Sequence, residues 1–156
     1  LERDEVIAGI VFNPITNDLY YAEKGKGSYV MTPTGTVRLR VSARNKLEQA
    51  VIGSCGFRSE KNRETVTKLT NGLAATRFNG CTTLSLASVA AGQFDGYVSC
   101  HFNMWDVAAG YLLVKEAGGF ASDFGGKRKL SEILESQTLV ASNVALKETF
   151  LKALEK

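Results

Sequence analysis

Asp106 sits between Trp105 and the small-residue run Val107-Ala108-Ala109-Gly110. A lone carboxylate in that setting can do two kinds of chemistry. It can accept backbone N–H bonds at a helix start, where the dipole favours negative charge. It can also offer a hard oxygen to Mg²⁺, which takes one or two carboxylates together with substrate phosphate. One carboxylate cannot hold a catalytic metal cluster, so its partners must lie elsewhere. Ala108, Ala109 and Gly110 would let a ligand or a neighbouring backbone come close, and Trp105 would wall the site or enter the core. A second candidate is Gly80-Cys81-Thr82-Thr83, which reads as the turn between a strand and an apolar helix, with threonine as its cap. The free N–H groups of such a turn bind phosphate oxygens. Together the two segments suggest an anion site beside a cation site.

The other polar residues offer less. His101 is the only histidine, and it reads as structural or solvated, with no Ser–His–Asp or Cys–His arrangement around it. Asp95 precedes a glycine and reads as a turn residue. Cys55, Cys81 and Cys100 are widely spaced and odd in number. They read as reduced thiols of a cytoplasmic protein rather than as metal ligands.

The elements that would position these residues fall into two blocks. Residues 6–12, 19–23, 29–31 and 37–41 read as strands of an antiparallel meander, separated by turn formers at 13–18, 25–27 and 33–35. Nothing later in the sequence announces a packing partner for this meander. From residue 47 onward strand alternates with helix. Strands are expected at 50–55, 75–78, 94–100, 120–123 and 138–141, and helices at 59–71, 83–91, 107–117 and 145–154. That alternation argues for an α/β layer with a mixed sheet. The expected division is 1–46, the remainder of an antiparallel-sheet domain, and 47–156, a small α/β domain.

At 156 residues there is enough chain for one full core. A formal net charge of +3, spread over scattered basic residues, gives no support to nucleic-acid binding. No apolar run approaches the ~20 residues of a membrane helix. The charged start, Leu1-Glu2-Arg3-Asp4-Glu5, looks cut rather than initiated.

The segment from Trp105 to Gly119 closely resembles the C-terminal signature of the inositol monophosphatase family. Gly9-Ile10-Val11-Phe12-Asn13-Pro14, Gly25-Lys26-Gly27-Ser28, Gly80-Cys81-Thr82, Ala90-Ala91-Gly92, Asp95-Gly96 and Val140-Ala141-Ser142-Asn143 follow the same family's order. The resemblance covers the chain but only the later part of the family's sequence. It implies an α+β layered sandwich and Mg²⁺-dependent, Li⁺-sensitive hydrolysis of a phosphate monoester by direct attack of water. It makes Asp106 a metal ligand that also helps orient the water. It makes Gly80, Cys81, Thr82, Ser99 and Trp105 the substrate-facing residues, for a small phosphorylated polyol, above all inositol 1-phosphate. A homodimer is implied too. The family's Gly-Glu-Glu and Asp-Pro-(Ile/Leu)-Asp-Gly-Thr motifs, which supply most metal ligands, are expected upstream of residue 1. This chain alone is therefore expected to be inactive. Ser99 stands where the family often has a glutamate, seven residues before the aspartate, so either the loop is aligned differently or the sugar preference differs. The alternatives are fructose 1,6-bisphosphate or 3′-phosphonucleotide hydrolysis. A further one is a regulatory role with RNA polymerase in ribosomal RNA transcription, as in SuhB-like bacterial members.

Overall fold

The computed structural model describes residues 5–54 and 60–154, without the side chains of 61 and 62. Cys55, Gly56, the start expected for a helix at residue 59, and the charged residues 1–4 lie outside the described residues. Four short strands come first: β1 (Ala8–Asn13), β2 (Asp18–Glu23), β3 (Gly27–Thr32) and β4 (Gly35–Arg38). They pair in sequence order as the expected antiparallel meander, with Val11 opposite Tyr20 and Tyr20 opposite Val30. Period-2 alternation puts Val11, Tyr20 and Ala22 on a buried face.

The second block is a five-stranded mixed sheet in the order β6-β5-β7-β9-β8. Its strands are β5 (Val51–Ser54), β6 (Ala75–Arg77), β7 (Gly96–Cys100), β8 (Phe120–Ser122) and β9 (Thr138–Ser142). β5 runs parallel to β6 and β7, whereas β9 runs antiparallel to both β7 and β8. The helices are α1 (Glu60–Thr70), α2 (Thr82–Ala90), α3 (Met104–Glu116), α4 (Leu130–Ser136) and α5 (Lys147–Leu154).

The meander does have a packing partner, which the sequence did not announce. α3 lies across β1, β2 and β3, and α2 reaches β1. The same two helices pack against the second sheet, α2 on β5, β7 and β9, and α3 on β8 and β9. One core therefore joins Val11, Tyr20 and Ala22 of the first sheet to Leu86, Val107 and Leu113 of the helices and to Tyr97 and Leu139 of the second sheet. On the far face of the second sheet, Val66 and Leu69 of α1 and Phe150 and Leu154 of α5 meet Ile52, Val98 and Val140. The order of layers is sheet, helix pair, sheet, helix pair.

Small residues bring the central helices in close. A Cβ at Gly9 would stand 2.9 Å from the Ala109 Cα, and one at Gly110 would stand 2.5 Å from the Leu86 Cβ. Ala109 and Gly110 thus admit neighbouring protein, β1 on one side and α2 on the other. The far end of α3 closes with the Gly118 N–H donating to Lys115 O and the Gly119 N–H to Val114 O, a paired C-terminal closure with Gly118 at φ +83.

Asp95 is more than a turn residue. Its carboxylate is fully buried. It accepts from Ser42 Oγ at 2.5 Å, the Arg44 guanidinium at 2.6 Å and the Val51 N–H at 2.7 Å. Asn143 Nδ2 donates to Ser42 Oγ and to Arg44 O. The segment between the two sheets is thereby bolted to the second one.

Candidate active site where two helices begin

α3 begins three residues earlier than the sequence reading placed it. Asn103, with extended backbone at φ −97 and ψ 164, is the N-cap, and Asp106 is the third helical residue. Asp106 Oδ2 accepts the Asn103 N–H at 2.9 Å. That is the reciprocal half of a capping box, so Asp106 is not itself the N-cap. Its other oxygen, Oδ1, has no hydrogen-bond partner among the described residues. One carboxylate oxygen is spent on the helix and one is available. The Asn-x-x-Asp spacing of 103 and 106 carried this signal.

α2 starts immediately after Gly80, whose φ of +67 suits glycine. Cys81 is the N-cap residue, and no side chain caps the helix. The threonine cap expected from the sequence is absent because both hydroxyls are used elsewhere. Thr82 Oγ1 lies 2.8 Å from Tyr97 OH, and Thr83 Oγ1 donates to the Asp106 carbonyl at 3.0 Å. Among the described residues, the N–H groups of Thr83 and Leu84 have no partner, as is usual for an uncapped first turn.

The Thr83–Asp106 bond ties the two helix starts together. Gly80, Cys81 and Thr82 therefore stand beside Trp105 and Asp106, as the two segments would need to if they formed one site. Trp105 is 74% exposed, so it is neither core nor a closed wall. Ser99 is fully buried on β7, two residues from Tyr97 and on the same face by strand alternation. Tyr97 and the capping role of Asn103 were not singled out from the sequence, and Thr83 was read only as a helix cap. Each acts through a partner distant in the sequence or through helix-end geometry.

The arrangement can bind an anion, because the uncapped first turn of α2 presents its N–H groups beside Gly80. It can also lend a single hard oxygen to a metal ion. Among the described residues, no group of three or more His, Cys, Asp or Glu could hold a metal. Asp106 Oδ1, a hard oxygen left over from the capping bond, fits a divalent ion as a single ligand.

A family model described as the inositol monophosphatase family matches residues 1–156. The chain belongs to the inositol monophosphatase family. It is 38% identical over 164 residues to the inositol-1-monophosphatase of Mesorhizobium japonicum, covering 100% of this chain and 58% of that protein. It is 35% identical over 156 residues to the Nus factor SuhB of Pseudomonas aeruginosa, covering 94% of this chain and 54% of that one. The crystal structure of the extragenic suppressor protein SuhB from Bartonella henselae superposes with a TM-score of 0.85 at 34% identity, over 97% of this chain and 60% of that chain. The inositol monophosphatase fold, an antiparallel sheet and a mixed sheet around shared helices, is the one described above. The chain spans somewhat less than two thirds of the length of these relatives.

Proposed function

We propose that this chain carries the phosphate-facing part of a Mg²⁺-dependent phosphate monoesterase whose remaining metal ligands come from the family's Gly-Glu-Glu and Asp-Pro-(Ile/Leu)-Asp-Gly-Thr motifs. The observation that carries the reading is the Thr83–Asp106 bond, which sets an uncapped helix start beside a carboxylate with one unspent oxygen. Asp106 Oδ1 would be the chain's ligand to Mg²⁺. When bound, the ion supplies charge neutralisation and a more acidic water.

The chain's own residues do the rest. The first-turn N–H groups of α2 meet the phosphate oxygens, and Gly80 lets the backbone approach. Thr83 fixes the distance between the phosphate-facing turn and the carboxylate. The capping-box bond from Asn103 holds the carboxylate in one rotamer. Cys81 and Trp105 border the approach for a polyol. The substrate proposed is inositol 1-phosphate, with Li⁺ as an inhibitor, in a cytoplasmic homodimer. Buried, uncharged Ser99 gives no carboxylate to a sugar hydroxyl, which favours tolerance of other phosphorylated polyols.

The test is a panel of inositol 1-phosphate, fructose 1,6-bisphosphate and a 3′-phosphonucleotide on the chain joined to the family's upstream motifs. Mg²⁺-dependent turnover of inositol 1-phosphate, lost in Asp106→Asn, is expected, with no turnover by the 156-residue chain alone. Turnover by the chain alone, or full activity in Asp106→Asn, contradicts the proposal. A second, regulatory reading is favoured by the similarity to proteins named Nus factor SuhB. It predicts a cellular phenotype that survives Asp106→Asn.

A further inference from the structure

A second charged cleft lies at the opposite end of α3 from Asp106. It encloses about 700 Å³ between the last turn of α3, the β2–β3 turn, residues 5–6 and residues 128–131. Lys115 follows Asp106 by nine positions, a helical rise of about 13 Å. Its apolar floor includes the buried Val6, Tyr111, Leu112 and Leu130. Among the described residues, Lys24, Lys115, Arg128 and Lys129 line it, together with two acids, Glu5 and Glu116.

Both acids are already occupied. Glu5 is paired with Lys24, and that ammonium, with a smaller contribution from Lys115, holds its carboxyl below the usual glutamate range. Glu116 uses one oxygen for the Gly25 N–H at 2.8 Å and the other for the Gly27 N–H at 2.9 Å. The side-chain cations of Lys115, Arg128 and Lys129 form no ion pair with a carboxylate among the described residues.

Two of these cations are held in place by contacts that leave donors unspent. Lys115 Nζ donates to Tyr111 OH at 3.1 Å and lies 4.8 Å from that ring's centre. Tyr111 OH in turn donates to Arg128 O at 2.8 Å, fixing the loop that carries Arg128. The Arg128 guanidinium lies 5.4 Å over the Phe120 ring, and none of its five N–H donors is spent on a hydrogen bond among the described residues. The C-terminal end of α3 would oppose an anion through its dipole. Its last carbonyls are however partly satisfied by Gly118 and Gly119.

We propose that this cleft binds a multiply charged phosphate-bearing anion, with Lys115 and Arg128 as its principal ligands. The binding needs neither metal nor Asp106, so it stands or falls separately from the proposed phosphatase site. Two sources share this chemistry, an inorganic polyphosphate and a nucleotide whose base lies on the apolar floor.

The experiment is calorimetric titration of the metal-free chain with pyrophosphate and with ADP. Wild type is compared with the Lys115→Gln/Arg128→Gln double variant, with Asp106→Asn and with a distant control, Lys46→Gln. Loss of two charge-assisted contacts should weaken pyrophosphate binding at least about tenfold. Lys46→Gln should bind as wild type, and Asp106→Asn should leave the response of residues 112–116 and 128–131 unchanged. Tighter binding of ADP would identify the nucleotide as the better fit, and equal binding would favour the inorganic source. Amide shifts of the wild-type protein give a readout independent of any variant's folding. Pyrophosphate should move residues 24, 112–116 and 128–131. Absence of binding at millimolar concentration, an unchanged double variant, equal weakening in Lys46→Gln, or shifts confined to residues 80–83 would each overturn the proposal.

Discussion

Asp106 spends one oxygen on the helix start, and the proposed reading gives the other to a metal ion, so the two roles can be separated by substitution. Asp106→Ala removes the acceptor of the Asn103 N–H. It should cost about 0.5–1 kcal/mol in urea unfolding, the usual range for a lost cap interaction. Asp106→Asn keeps an amide oxygen there and should lose less stability, while losing the charge that a metal ligand needs. Equal stability of the alanine variant and wild type would show that the capping bond contributes nothing. The sequence suggested both roles for this residue. It misjudged the position within the helix, because Asn103 is also a good N-cap and the helix starts three residues earlier, nearly a turn. Thr82 and Thr83 were legible as a helix start. Their hydroxyl partners, Tyr97 and the Asp106 carbonyl, depend on the approach of β7 and α3, which spacing along the chain does not encode.

Among the elements, α3 is the one on which both sheets depend. Its Gly110 illustrates how packing outweighs propensity. Alanine in a helix interior is favoured over glycine by about 1 kcal/mol. Here a Cβ would lie 2.5 Å from Leu86 Cβ and 2.6 Å from Leu86 Cδ1. Overpacking of that kind costs roughly 1–3 kcal/mol. Gly110→Ala should therefore be destabilising on balance, by a lowered denaturant midpoint, and Gly110→Val more so. A rise in the midpoint would mean that α2 and α3 are not in such close contact. The two-block rhythm of strands, and the helices α1, α2, α3 and α5, were readable from periodicity and stop signals. α4 was missed. It is only seven residues long, although Leu130, Ile133 and Leu134 follow helical spacing and Glu132 caps the Lys129 N–H at 3.1 Å. A short helix between glycine-rich and polar segments looks like loop when only longer windows are read.

Over the whole molecule, the two faces of the first sheet are unequal. One is buried under α3 and α2. The other presents Ile10, Phe12 and Met31, at least 48% exposed each, together with the stacked Tyr21 and Tyr29. The row Ile10, Tyr21, Tyr29 and Arg38 runs directly across the four strands. An apolar sheet face of this size is unusual for a surface that remains in water. Helix α3 meanwhile separates two regions of different chemistry. Its start meets α2 at the proposed phosphate turn, and its end meets the cationic cleft. Composition could not show this, because a net charge of +3 says nothing of how cations distribute around one helix. The family assignment and the layered sandwich were legible because the motif around Asp106 is long and specific. The joining of the turn at residues 80–83 to that motif required the fold.

Titration of inorganic phosphate followed by amide chemical shifts shows whether the two helix starts act as one. If the two helix starts form one anion-binding site, residues 80–84 and 103–106 should shift together, with one apparent affinity. Thr83→Val, which removes the bond to the Asp106 carbonyl, should weaken both responses in parallel. Shifts in one segment only, or two segments responding with different affinities, would mean that the helix starts do not form one anion site.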